Sequence, residues 1–257
     1  TVRLALSDSP SRKLGFSLDE FRRLVSTSEF KTSGRRLAGA HAYLGRDGFS
    51  PKKMNGFFSD VMKLRKFDVW DENFKFYLGP GFPAHLSYDA QLQKQWEMKL
   101  EEVVNIECGR AITQRAGFYF TKVLSVKQIG DWTSVVVDGG LQHTASHLRS
   151  PVYGQQGIDV QFFRSGAALQ KGERGAAIQG SLSIGHDTLL EGIVIPDDLR
   201  RGDGIVINNC GAYGFTAACS QFIGPSQVGE WMLCSSGEIR DVFPPAFKPY
   251  LSVAPNL

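Results

Sequence analysis

Over residues 1–110 the chain alternates strand-like and helix-like segments, and after about residue 117 the alternation stops. That change of pattern constrains the fold more than any other feature. Residues 2–6 read as a strand. "SLDEFRRLVSTS" opens on Ser17 as an N-cap, with Glu20 three residues on in the capping-box position, and runs helical. "RLAGAHAYLG" reads as a buried strand. "SPKKMNGFFSDVMKLRKF" reads as an amphipathic helix with Ser50 ahead of Pro51 at its start. "NFKFYLGPGFP" is a strand running into a glycine loop, "DAQLQKQWEMKLEEVV" a further helix and "VVNIECGR" a strand. Strands separated by crossover helices imply a parallel sheet. In each case the polar, glycine-bearing stretch follows a strand, the end at which β/α barrels carry their chemistry.

Beyond residue 117 the segments "GFYFTKVLSVKQI", "WTSVVVDGG", "IDVQFFRSG", "AAIQGSL", "EGIVIP", "DGIVINNCGAYG" and "GEWMLCSSG" are short, strand-like and split by Gly, Asp and Ser turns. This is an all-β pattern. The expected fold class is therefore α/β plus all-β: a partial β/α barrel over 1–116, followed by a mainly antiparallel β domain, barrel or sandwich, over 117–257.

Composition narrows the function classes. With 257 residues and 42% hydrophobic content the chain can bury a sizeable core, and 21% charged residues argue against disorder. The net charge of +3 comes from scattered basic residues, with no nucleic-acid footprint. Cys108, Cys210, Cys219 and Cys234 form no C-x-x-C pair or zinc spacing, and reduced thiols in the cytoplasm are expected. His143 and His147 stand four apart, but helix-promoting residues around them are sparse, so no metal is expected. No run approaches the ~20 apolar residues of a membrane span, and no signal peptide is visible. The chain starts "TVRLALSDSP", without Met and directly on a strand, which reads as an internal portion or a processed chain.

Four motifs follow in order: "AHAYLGRD" (40–47), "YLGPGFP" (77–83), "ECGR" (107–110) and "GAYG" (211–214). Each is weak alone. Glu107 and Arg110 by themselves read first as a surface salt bridge at a strand end, and "GPG" as a plain turn.

In this order and on this framework, the motifs resemble the pyridoxal-phosphate-dependent amino-acid decarboxylases of the ornithine, arginine and diaminopimelate decarboxylase family, with its alanine-racemase-like barrel. The resemblance runs from "VRLALSDSPSRKLGF" to "GAYGFTAACSQF". It implies pyridoxal 5'-phosphate as cofactor and an amino-acid substrate. It places Glu107 against the pyridine nitrogen, where a carboxylate keeps that nitrogen protonated and the ring an electron sink. It places Arg110, beside Gly109, on the cofactor phosphate, with Cys108 replacing the family's proline. The family's three consecutive glycines stand here as Gly79, Pro80 and Gly81, so one phosphate-facing N–H is missing.

The resemblance further puts Tyr43, two residues before Gly45, where the family has a histidine stacked on the cofactor ring, a role an aromatic ring also fills. His41 is the alternative, expected on the opposite face of the strand. Arg46 is either an added charge near the phosphate or a solvated loop residue. Tyr213 matches the tyrosine that reaches the phosphate from the β domain, and Arg3 a strand arginine lining the pocket. Asp138 of "VVVDGG" either holds a substrate amine or closes a turn.

Two departures stand out. The family's "G-P-x-C-D-x-x-D" segment reads here "GSLSIGHD" (180–187). Ser183 replaces the proton-donating cysteine and Ile184 the first aspartate, while Asp187 is kept. His186 lies nearby as a second candidate for the proton. Loss of the acidic group at 184 argues against a doubly basic substrate. Secondly, no "Y-A-V-K-A-N"-like segment supplies the Schiff-base lysine. Half a barrel also leaves open edges. An N-terminal portion or partner chain carrying that lysine is therefore expected, in a homodimer or heterotetramer. The resembled family forms its active sites at a dimer interface, which implies that Glu107, Arg110 and Tyr213 serve one site, and Ser183, Ile184 and His186 its neighbour's. A catalytically inactive, protein-binding homologue and an enzyme of altered carbanion chemistry are the alternatives.

Overall fold

The computed structural model describes residues 2–5, 14–45, 50–79, 81–82, 105–144, 159–220 and 228–242. The helix expected over 89–104 and the roles considered for Arg46, Pro80 and His147 lie outside them. The chain divides into two compact units, Thr1–Ala116 and Gly117–Leu257. Among the described residues no helix is long and apolar enough to cross a membrane.

The first unit runs β1 (Val2–Leu4), α1 (Leu18–Ser26), α2 (Ser28–Thr32), β2 (Leu37–Tyr43), α3 (Pro51–Leu64), β3 (Trp70–Gly79) and β4 (Asn105–Ile106). Its four strands pair in parallel in the order β1-β2-β3-β4. Helix α1 forms where the capping box places it. The Ser17 hydroxyl accepts from the Glu20 N–H at 3.2 Å, and the Glu20 carboxylate accepts from the Ser17 N–H at 2.8 Å. Thr27 ends α1 and at once caps α2, accepting from the Phe30 N–H at 3.2 Å. The Ser50 hydroxyl likewise accepts from Lys53 N–H at 3.3 Å where α3 begins.

Strand periodicity decides which side of the sheet the helices cover. Val2, Leu4, Ala40, Ala42, Phe76 and Leu78 are buried in one cluster with Phe21 and Val25 of α1 and Phe57 and Leu64 of α3. Phe21 stacks on Trp70 with centroids 5.5 Å apart, and the Trp70 indole N–H donates to the Leu64 carbonyl at 2.9 Å. Burying each such phenyl contributes roughly 1.5–3 kcal/mol. The alternate residues, Arg3, His41, Tyr43, Tyr77 and Gly79, therefore lie on the opposite face.

The second unit is a six-stranded sheet of β5 (Tyr119–Ile129), β6 (Trp132–Val137), β7 (Val160–Phe163), β8 (Arg174–Gln179), β9 (Thr188–Ile195) and β10 (Gly204–Ile207), in the order β7-β10-β5-β6-β8-β9. Every neighbouring pair is antiparallel apart from the parallel β6–β8 pair. Val123, Val135, Val137, Ile178, Leu189, Ile205 and Ile207 form its core, each 0% exposed. Arg164 ties the β7 end to the turn before β10. Its Nε donates to Asp203 Oδ1 at 2.7 Å and its Nη1 to Asp198 Oδ2 at 2.8 Å. A two-stranded hairpin, β11 (Trp231–Leu233) and β12 (Ile239–Asp241), follows.

Two sequence expectations need correction, and two elements are new. "VVNIECGR" is strand only at Asn105–Ile106 among its described residues, because Gly109 turns the chain and Arg110 opens a single helical turn, Arg110–Thr113. Helix α2 and strand β12, whose three residues are all exposed and carry no alternation, have no signal in the sequence pattern. His41 does not oppose Tyr43. Two residues apart on one strand, they share a face.

Candidate active site

Three successive strand ends bring the first group of site residues together. Tyr43 is the last residue of β2 and lies in register with Gly79, the last residue of β3. Glu107 follows β4, and its N–H donates to the Leu78 carbonyl at 2.8 Å, so the ladder continues one step past the strand. A Cβ built on Gly79 would lie 2.7 Å from Tyr43 Cδ2 and 3.2 Å from Glu107 Oε2. Only hydrogen at this position lets the tyrosine ring and the carboxylate approach the backbone together. Gly45 and Gly81, in the loops after β2 and β3, take left-handed φ of 98° and 67°.

His41 Nε2 lies 3.1 Å from Glu107 Oε2. A carboxylate oxygen has no proton to give, so the imidazole donates from Nε2. The His41 side chain is 17% exposed and that of Glu107 57%. The carboxylate is thus anchored at one oxygen and otherwise open. One row below, the register aligns Arg3, His41, Tyr77 and Asn105 across all four strands. Arg3 therefore lies on the face that carries Glu107. Arg110, partly exposed, and Gly109, its N-cap, sit immediately beyond.

The second unit holds the other candidates. Asp187 is 3% exposed. Its Oδ1 accepts from the Leu141 N–H at 2.9 Å and its Oδ2 from the Leu182 N–H at 2.8 Å. A Cβ on Gly180 would collide with the same carboxylate, so this glycine is what admits it. Asp187 is placed as a brace between the loop after β6 and the bend between β8 and β9. Ser183 and His186 are both exposed in that bend. Asp138 follows β6, with its Oδ1 accepting from Thr121 Oγ1 at 2.6 Å and from the Lys122 N–H at 2.8 Å. Tyr213 is 57% exposed and holds φ at 60°, a left-handed conformation that is strained for a bulky residue.

Sequence reasoning missed a second support of the loop after β6. The Tyr119 hydroxyl accepts from the Gly140 N–H at 3.2 Å and lies 3.2 Å from His143 Nδ1. Burial pushes the Tyr119 phenol above its usual range and the His143 imidazole below its own. Local pattern gives no sign of this group, whose members lie 24 residues apart. The place of His41 on the face of Tyr43, by contrast, is legible from the two-residue strand period.

The residues of the first unit suit a phosphorylated pyridine aldehyde. An exposed carboxylate matches a protonated ring nitrogen, Tyr43 offers a ring to cover the heterocycle, and the glycine floor at 79 is a cradle that any Cβ would fill.

Comparison with known proteins bears on the same point. Residues 23–211, spanning parts of both units, match the family "Pyridoxal-dependent decarboxylase, C-terminal sheet domain". A decarboxylase of 2-[(L-alanin-3-ylcarbamoyl)methyl]-2-hydroxybutanedioate from Staphylococcus aureus is 28% identical over 64% of the chain and 46% of its own length. The diaminopimelate decarboxylase of Actinosynnema pretiosum is 32% identical over 43% of the chain and 23% of its length. The chain thus spans less than half the length of these relatives. Among solved structures, diaminopimelate decarboxylase from Helicobacter pylori superposes with a TM-score of 0.67 at 18% identity, over 91% of this chain and 58% of that one. The arginine decarboxylase of Paramecium bursaria Chlorella virus gives 0.70 at 15% identity, over 87% and 63%. With the family match covering more than half of its residues, on a partial parallel sheet followed by a mixed β domain, the chain belongs to the pyridoxal-dependent decarboxylase family of the ornithine, diaminopimelate and arginine enzymes.

Proposed function

We propose that the chain is the C-terminal portion of a pyridoxal-phosphate-dependent amino-acid decarboxylase, and that a lysine-bearing N-terminal portion or partner chain completes its site. The observation that carries this reading is the meeting of Tyr43, Gly79 and Glu107 at three successive strand ends. When bound, the cofactor supplies an electron sink for the pair released as the substrate's carboxylate leaves. Glu107 holds the proton on the ring nitrogen, and Tyr43 covers one face of the ring. In the first unit Gly45, Gly79, Gly81, Gly109, Arg110 and Arg3 are the candidates for holding the phosphate and lining the pocket, and Tyr213 of the second unit is a separate candidate for the phosphate. The strained φ of 60° at an exposed Tyr213 supports a functional reason for that conformation. Asp138 is the candidate to meet the substrate, Ser183 or His186 the candidate to return the proton in a neighbouring subunit's site, and Asp187 braces their bend.

Two observations support the completing portion. The sequence has no "Y-A-V-K-A-N"-like segment, and the chain covers 46% of the staphylococcal relative and 58–63% of the two structures above. The assembly proposed is a homodimer or heterotetramer in the cytoplasm.

The substrate class follows from position 184. Ile184, half-buried, stands where the family has a carboxylate for a basic side chain. Two similar proteins are named for amino-acid conjugates: the alaninylcarbamoyl hydroxybutanedioate above, and an L-glutamyl-[BtrI acyl-carrier protein] from Niallia circulans, whose decarboxylase is 32% identical over 46% of this chain. A conjugated or acidic amino acid suits this chain better than ornithine or lysine. Ser183 in place of a thiol favours, as a second reading, an inactive homologue or altered carbanion chemistry. The test is CO2 release by the assembled protein from basic, acidic and conjugated amino acids, with amine formation followed in parallel. CO2 with matching amine from the acidic or conjugated set supports the decarboxylase. CO2 without amine points to altered chemistry, and cofactor binding without CO2 to the inactive homologue.

A further inference from the structure

We infer that His41 is the positioning residue of Glu107: its Nε2–H fixes the carboxylate by one oxygen and leaves the other for the cofactor's ring nitrogen. The inference rests on the cofactor-site reading of Glu107 given above. Glu107 lies past the end of β4 and is 57% exposed, so its own backbone element does little to restrict its rotamers. The restraint comes from the neighbouring strands. Gly79 beneath it admits the carboxylate, with the position of a Cβ only 3.2 Å from Oε2. His41, 17% exposed and aligned in register between Arg3 and Tyr77, presents Nε2 to the same oxygen at 3.1 Å. Among the described residues no other hydrogen bond to Glu107's side chain is found, so Oε1 is the oxygen left for a ligand. Imidazole suits the task because it is a rigid donor without the permanent charge of Lys or Arg, which would compete with a ring N–H for the carboxylate.

The experiment is a double-mutant cycle on the assembled protein, lysine-bearing portion included, read as the equilibrium affinity of the cofactor-free protein for pyridoxal phosphate. Loss of one hydrogen bond to a charged group predicts that His41→Phe weakens cofactor binding roughly tenfold or more. In a Glu107→Ala background the same change has less than about a twofold effect, because the partner is gone. Gln places an amide nitrogen where Nε2 stands and Asn where Nδ1 stands. His41→Gln therefore restores most of the affinity and His41→Asn does not, a contrast that loss of packing alone would not produce. This pair also decides the matter if His41→Phe fails to fold. Equal effects of Gln and Asn, or an undiminished effect of His41→Phe without Glu107, overturn the positioning role while Glu107→Ala still weakens binding. If Glu107→Ala itself leaves cofactor affinity unchanged, the cofactor-site reading falls and takes the inference with it.

Discussion

Replacing Asp187 by alanine should cost stability far more than an ordinary surface change. The carboxylate is 3% exposed and accepts from two backbone donors, Leu141 N–H at 2.9 Å and Leu182 N–H at 2.8 Å. Leu141 is itself buried, and the short side chain of alanine offers neither donor a substitute. A hydrogen bond to a charged group contributes about 1.5–3 kcal/mol, so the two together are worth roughly 3–6 kcal/mol. A typical domain has only about 5–15 kcal/mol in total, which makes the loss a large fraction of the whole. Asp187→Asn keeps one acceptor and turns an NH2 group toward the second donor, so about half of the loss is expected. The assay is urea unfolding with linear extrapolation, comparing midpoints at an unchanged m-value. A loss under about 1 kcal/mol for Asp187→Ala would refute the reasoning, since a buried, doubly bonded carboxylate cannot be that cheap to remove. Full stability with decarboxylation abolished would instead make Asp187 a reacting group.

Other outcomes follow from the same geometry. Gly79→Ala drives a methyl toward Tyr43 and Glu107 and should lose about 1–3 kcal/mol through overpacking, with weaker cofactor binding. Gly56→Ala, inside α3 with nothing within 4 Å, is the control and should gain roughly 0.5–1 kcal/mol, both read by thermal melts. The hydrogen bond from Arg164 first of all holds Asp203 below the usual carboxylate range, and the Gln170 N–H, then Arg164, does so for Asp198. Lowered folded values mean stability that is present above the unfolded value of about 3.9 and lost as pH falls through the folded ones. The advantage of the native protein over Arg164→Met should therefore shrink below about pH 4 in acid unfolding, and a gap constant down to pH 2 would contradict the pairing. Burial pushes the Cys210 thiol up to about 12, so it should resist alkylation at pH 8 while exposed Cys219 reacts, as peptide mass spectrometry would show.

What could be read in advance was local. The Ser17–Glu20 box, the alternation of β2 and the change of pattern near residue 117 are set by neighbours in sequence. Thr27 hid α2 because it ends one helix and caps the next in the same step. The parallel β6–β8 pair and the Asp187 brace depend on partners far along the chain, with Leu141 46 residues away, and no local pattern encodes them. The residues Tyr43, Gly79 and Glu107 were legible as motifs, but their convergence needed the strand register. The side taken by His41 needs only the strand period, since residues two apart on a strand share a face.

The central claim is that this chain presents Glu107 and Tyr43 to a cofactor whose lysine comes from elsewhere. The most direct measurement is denaturing mass spectrometry of the purified assembly after borohydride reduction, with peptide mapping of the cofactor adduct. The account predicts a reduced pyridoxyl adduct on a lysine outside residues 1–257. An adduct on a lysine of this chain, or none in any component of the assembly, would contradict it.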